Sequence, residues 1–131
     1  VVLVDTSVWV EAFRKPSRIR LSDVVEFDEI VTCPPVVEEI LRGFRDERAF
    51  QTARAAMLAF PVVESPLRME VVLTAVDLFR RARRAGLTVR SGADCLIAAC
   101  ALRNGLSVLH HNRDFDALSE VSDLKAHAVE T

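Results

Sequence analysis

The sequence predicts an α/β domain: a central, mostly parallel sheet covered by helices on both faces, a three-layer α/β/α arrangement. Three observations carry this expectation. Short apolar, β-branched runs alternate with longer segments of helical periodicity, the pattern of a parallel sheet buried on both sides. The chain has 131 residues, half of them apolar and 27% charged, which is enough to bury one core without disulfides or a structural metal. Acidic residues also fall just beyond the apolar runs, where the ligand crevice of such a sheet lies.

Val1-Val2-Leu3-Val4 reads as the first strand, and Asp5-Thr6-Ser7 follows with three residues able to cap a helix. Val8 to Phe13 is helical up to the break at Lys15-Pro16. Residues 17–28 are mixed, with a short helix read through Leu21, Val24 and Val25. Ile30 to Cys33 is a second buried strand, and Pro34-Pro35 opens the next helix, since proline suits a first helical turn. In that helix Val37, Ile40, Leu41 and Phe44 form one apolar face, and Gly43 ends it. Asp46 to Ala59 is helical in composition, Pro61 stops it, and Val62-Val63-Glu64 reads as a third strand. Met69 to Ala85 is the longest helix, with Val72, Ala75, Val76, Phe79 and Ala82 directed inward and Gly86 as its stop. Ser91 to Asp94 begins a helix that runs from Cys95 to Arg103 and closes at Asn104-Gly105. Leu106 to Leu109 is a fourth strand, His111 to Asp116 a polar loop, Ala117-Leu118 a short helical piece, and Leu124 to Val129 an edge strand. With no internal repeat or low-complexity segment, residues 1–131 read as a single domain.

Composition narrows the function classes. Seventeen basic against nineteen acidic side chains give a net charge of −2, which excludes a highly basic nucleic-acid coat but not a local basic patch. No apolar run approaches the roughly 18 residues of a membrane span and no signal-peptide pattern opens the sequence, so no membrane and a cytoplasmic location are expected. Cys33, Cys95 and Cys100 are odd in number and form no C-x-x-C pair, which argues against a disulfide scaffold or a zinc site. They read as small buried hydrophobes.

The acids carry the chemical signal. Asp5 follows the first strand, Asp114 lies in the loop after the fourth, Asp94 is in the first turn of a helix, and Glu38-Glu39 sit in the helix after the second strand. Like charges ~4 Å apart repel by several kcal/mol at an effective dielectric near 20, so a carboxylate cluster needs a cation. Oxygen-only ligands suit Mg²⁺ or Mn²⁺. Each acid also has a plain structural reading. Asp5 can cap the Val8 helix, Ser91-x-x-Asp94 fits a capping box, and Asp114 or Asn112 can cap the piece at Ala117. Glu38 and Glu39 point about 100° apart on a helix and cannot share one site.

Four segments, in order and spanning nearly the whole chain, resemble the motifs of PIN-domain ribonucleases, especially VapC-type toxins. Val4-Asp5-Thr6-Ser7-Val8-Trp9 is similar to their first motif, and Glu39-Ile40-Leu41-Arg42-Gly43 to their second. Val89 to Ala99, with Asp94 opening a small-residue helix, resembles the third, and His111-Asn112-Arg113-Asp114-Phe115 the fourth. The resemblance implies a PIN-like fold and a toxin of a type II toxin–antitoxin system, an Mg²⁺- or Mn²⁺-dependent endoribonuclease. It implies that Asp5, Glu39, Asp94 and Asp114 are the catalytic, metal-binding acids, and it selects Glu39 over Glu38. Asn112 or Asp116 can share the role given to Asp114, and Thr6 or Ser7 can orient the Asp5 carboxylate. Thr6, Ser7, Arg90 and Asn112 are the substrate-binding candidates. The implied partners are RNA, a cognate VapB-type antitoxin and a second copy of the chain. Trp9 and Phe13 are core residues or part of the surface that an antitoxin covers.

Such an ion neutralises a scissile phosphate and acidifies the water that attacks it, whether one metal or two are held. RNA also needs cationic neighbours. Arg80, Arg81, Arg83, Arg84 and Arg90 lie shortly before Asp94; Arg81 and Arg83 read as a solvated helix face, whereas Arg90 is only four residues before Asp94. Histidine chemistry competes poorly, because His110, His111 and His127 form no pair with a nucleophile. Two other classes stand as alternatives: a catalytically inactive PIN-like binding module, and a phosphoryl hydrolase of another α/β family. A haloacid-dehalogenase-type site wants an Asp where Ser7 stands, and a response-regulator receiver wants a Lys that Leu106 to His111 lacks.

Overall fold

A computed structural model describes residues 1–130. Strand β1 (Val2–Val4) leads into helix α1 (Thr6–Phe13), and two 3-10 turns (Leu21–Asp23 and Phe27–Glu29) precede strand β2 (Ile30–Val31). Helices α2 (Pro34–Arg42), α3 (Glu47–Leu58), α4 (Met69–Arg84) and α5 (Gly92–Arg103) follow, then strand β3 (Ser107–His110), helix α6 (Arg113–Glu120) and strand β4 (Ala126–Ala128). The four strands form one sheet in the order β2-β1-β3-β4, and every pairing is parallel. Leu3 sits in register with both Val31 and Val108. With helices flanking the sheet, β1 and β3 are covered on both faces, and Leu3, Val4 and Val108 are completely buried.

Helix α5 is the hub. Ile97, Ala98, Ala99, Cys100 and Ala101 are all fully buried, so nearly its whole circumference is core. Its small side chains let α4 lie along it and let α2, α6 and β3 pack against other sides. The three cysteines are free and buried, as expected of small hydrophobes. No helix among the described residues is long and apolar enough to cross a membrane.

The structure corrects several local expectations. Val62-Val63-Glu64 is not a strand: Thr32 and Val62 form a single bridge, and Glu64 turns to a φ of 55°. Asn104 and Arg68 hold the Glu64 carboxylate there, which ends the extended path. Residues 17–28 form two 3-10 turns rather than a helix. The inward face of α4 is Val71, Ala75, Leu78 and Ala82, whereas Val76 and Phe79 are exposed. The register chosen from the sequence was rotated because α4 carries apolar residues on two faces. In α2 the fully buried position is Val36, with Ile40 one turn later, while Val37, Leu41 and Phe44 are only partly covered. Finally, most of the segment from His111 to Asp116 is helical. Asn112 accepts a hydrogen bond from the Asp114 backbone, and this cap starts α6 several residues earlier than Ala117.

Candidate active site

Asp5 stands at the point where β1 becomes α1, its backbone N–H still donating to the carbonyl of Leu109 in β3. The Asp5 Oδ2 atom accepts from the Ser7 backbone at 3.0 Å and from Ser7 Oγ at 2.5 Å. The cap reading is therefore correct, and it occupies only one carboxylate oxygen. Asp5 is 1% exposed, and its second oxygen, Oδ1, is buried with no hydrogen-bond partner. Such an atom is costly to bury unless something else satisfies it.

The other three acids are anchored in the same way, by one oxygen each. Thr6 Oγ1 donates to Glu39 Oε1 at 3.0 Å, tying α2 to the start of α1. Asn112 Nδ2 donates to Asp94 Oδ2 at 2.9 Å, tying α5 to the start of α6. Asp114 Oδ2 accepts from the backbone N–H groups of Arg90 and Ser91 at 3.0 and 3.2 Å, so Asp114 secures the segment leading into α5. Ser7 Oγ in turn accepts from the His111 backbone at 2.9 Å, which joins the two halves of the arrangement.

These contacts separate the alternatives that the sequence left open. Thr6 orients Glu39, while Ser7 orients Asp5. The capping-box reading of Asp94 fails, because the Ser91 side chain makes no cap hydrogen bond. Glu38 is exposed and lies 3.5 Å from Arg42, which also comes within 3.9 Å of Glu39 Oε2, while Glu39 Oε1 accepts from Thr6. Asn112 does not duplicate Asp114; it holds Asp94 through its amide and caps α6 through its carbonyl oxygen. Asp116 is exposed and lies 3.7 Å from His110 Nε2. His110 itself is buried against Phe115, and that burial pulls its pKa down.

The electrostatics of Asp94 and Asp5 register their acidic neighbours. The Asp94 carboxyl is pushed up to about 8, first by burial, then by its hydrogen bond with Asp114, and then by the charges of Asp5, Asp114 and Glu39. Burial raises Asp5 as well, against the lowering effect of the Ser7 hydrogen bonds, and the charge of Glu39 adds to the rise. Among the described residues no three His, Cys, Asp or Glu side chains stand ready to enclose an ion. The donor chemistry nevertheless fits a hard cation: all candidate ligands are oxygens, the Asp5 Oδ1 atom is orphaned, and the local charge is uncompensated.

An open cleft of about 640 Å³ is lined by Thr88, Arg90, His111, Asn112, Arg113 and the end of β4, together with three carboxylates, Asp114, Asp116 and Glu130. Sequence reasoning found Arg90 and Asn112 but missed Thr88 and Arg113. Arg113 had a signal, since it sits between two site residues. The β4 wall had none, because it reaches the site only through the parallel pairing of β4 with β3.

The profile of the PIN domain family matches residues 2–121. VapC ribonuclease Mb1587 of Mycobacterium bovis is 37% identical over 130 residues, covering 95% of this chain and 96% of that protein. Ribonuclease VapC11 of Mycobacterium tuberculosis matches with the same figures. Among solved structures, VapBC2 from Rickettsia felis bound to a promoter DNA fragment superposes with a TM-score of 0.75 at 14% identity, covering 98% of each chain. VapC20 of Mycobacterium tuberculosis, described as a Sarcin-Ricin loop cleaving toxin, gives 0.70 at 18% identity, covering 95% of this chain and 99% of that one. The structural likenesses bear on the fold.

Proposed function

This chain belongs to the PIN domain family, and from that premise we propose that it is the toxin of a type II toxin–antitoxin pair, an endoribonuclease that hydrolyses RNA phosphodiester bonds with a divalent ion, Mg²⁺ or Mn²⁺. The observation that carries the reading is the convergence of Asp5, Glu39, Asp94 and Asp114 from four separate segments, with Asp94 raised to about 8 by burial and then by its acidic neighbours. Two relatives named as VapC ribonucleases, at 37% identity over nearly their full length, support the activity.

Asp5, Asp94, Asp114 and Glu39 are the residues that would hold the ion. When bound, it supplies charge neutralisation at the scissile phosphate and a more acidic water. The chain's own groups do the positioning. Ser7 fixes Asp5, Thr6 fixes Glu39, and Asn112 fixes Asp94, each through a hydrogen bond to one carboxylate oxygen. On the partner side, the relatives solved as VapBC complexes support a VapB-type antitoxin. Exposed Val10 and Phe13 on α1, beside Phe44, offer that partner an apolar patch. A homodimer is part of the same reading.

The test is cleavage of RNA by the purified chain with Mg²⁺ or Mn²⁺. Activity is expected with either ion, to be lost in chelator, and to be abolished by Asp94→Asn in a chain that still folds. Equal cleavage in chelator removes the metal role. A folded wild-type chain that binds RNA without cutting it supports the inactive binding module instead.

A further inference from the structure

The cleft beside the acids holds two cations that the proposed chemistry does not use. Arg14, Arg18, Arg42, Arg68, Arg81 and Arg103 lie within 4.0 Å of a carboxylate; among the described residues Arg90 and Arg113, like several other arginines, do not, and these two line the cleft. They approach it from different elements. Arg90 precedes α5, and Arg113 is the first residue of α6. The hydrogen bonds from the Arg90 and Ser91 backbones to Asp114 hold those two elements together, so the backbone positions that carry the two arginines are set by the scaffold.

A third group is fixed in orientation. His111 Nδ1 lies 2.9 Å from the carbonyl oxygen of Val129. A carbonyl only accepts, so in the neutral ring the proton is on Nδ1 and Nε2 is left as an acceptor. The cleft volume, about 640 Å³, lies within the range of small-molecule sites and accommodates a nucleotide unit.

We infer that this cleft is the subsite for the nucleotide flanking the bond to be cut. Arg90 and Arg113 grip its phosphate, and the His111 ring meets its ribose, accepting from the 2′-hydroxyl. The chemistry is that of single-stranded RNA: an Arg pair suits a phosphate by forked hydrogen bonds, and a 2′-hydroxyl contact is what tells RNA from DNA. The subsite also answers an electrostatic difficulty. A chain with net charge −2, and a cleft whose wall includes Asp114, Asp116 and Glu130, must draw in a polyanion, and Arg90 and Arg113 are the cationic side chains of that cleft that offset those carboxylates. This inference rests on the ribonuclease reading above.

The experiment measures binding of a short fluorescent single-stranded RNA, and of DNA of the same sequence, by anisotropy across a salt series. It uses the full chain carrying Asp94→Asn so that bound RNA is not consumed. Arg113→Ala in that background is expected to weaken RNA binding and to lower the slope of log K against log salt by about 0.7, the loss of one single-strand phosphate contact. His111→Ala is expected to narrow the preference for RNA over DNA while leaving the slope unchanged. Arg18→Ala, on an exposed residue paired with Glu11, serves as the control and is expected to change neither. Unchanged affinity and slope in Arg113→Ala, with the Arg113→Ala chain cutting RNA as fast as wild type, overturns this inference and leaves the ribonuclease reading standing. A wild-type chain that neither binds nor cuts RNA overturns both.

Discussion

Burial and neighbouring carboxylates lift the Asp94 carboxyl from an ordinary 3.8 to about 8, and this has a measurable consequence for folding. The folded chain binds a proton at Asp94 that the unfolded chain releases near pH 4, so this contribution to stability is present at low pH and is lost as pH rises through 8. In chelator, the melting temperature is therefore expected to fall between about pH 5 and about pH 8. Asp94→Asn, which stays neutral, is expected to flatten that decline and to melt above wild type at about pH 8. A parallel decline in both chains would place its origin elsewhere. Asp5 is tuned differently: burial raises it, but Ser7 supplies two hydrogen bonds to its charged form.

The elements succeed at placing these residues because three of the acids sit at junctions, and the fourth, Glu39 within α2, faces one. Asp5 follows β1, Asp94 and Asp114 lie in the first turns of α5 and α6, and Glu39 faces Thr6 at the start of α1. Exposed backbone N–H groups at such helix starts favour nearby carboxylates. Helix α4 shows how an element can be misread. Its buried stripe is Val71, Ala75, Leu78 and Ala82, while Met69, Leu73, Val76 and Phe79 form a second apolar stripe on the outside. Leu78→Ala is expected to destabilise the chain by about 2–5 kcal/mol, against less than about 0.5 kcal/mol for Val76→Ala, read from denaturant midpoints. The reverse order would restore the face expected from the sequence.

For the whole molecule, the parallel sheet sets where the chemistry happens. β1 and β3 lie side by side and both run toward the site, so the residues just past their ends, Asp5 and the 111–114 segment, are neighbours despite being about a hundred positions apart. Concentrating negative charge there destabilises the ion-free fold, and a cation that binds only the folded state recovers that loss by mass action. Titrating Mg²⁺ into chelator-treated protein is expected to raise the melting temperature, with about 2.7 kcal/mol gained at a hundredfold excess over Kd. Asp5→Asn is expected to blunt the effect, and an equal rise in that variant would argue for binding away from the site.

Sequence alone determined the α/β class and the succession of most elements, because strand burial and helix periodicity are written locally along the chain, and it nominated the four acids through the resemblance of ordered motifs. Glu39 was separated from Glu38 by resemblance before geometry could do so. Only the tertiary structure decided that 62–64 is a bridge, that Thr6 serves Glu39 while Ser7 serves Asp5, that Asn112 holds Asp94, and that Arg113 shares a cleft with Arg90. The physical reason is common to all four. A hydrogen-bond partner or a cleft wall is contributed by a distant segment, and which segment arrives is fixed by sheet pairing and helix packing, which no short window of residues encodes.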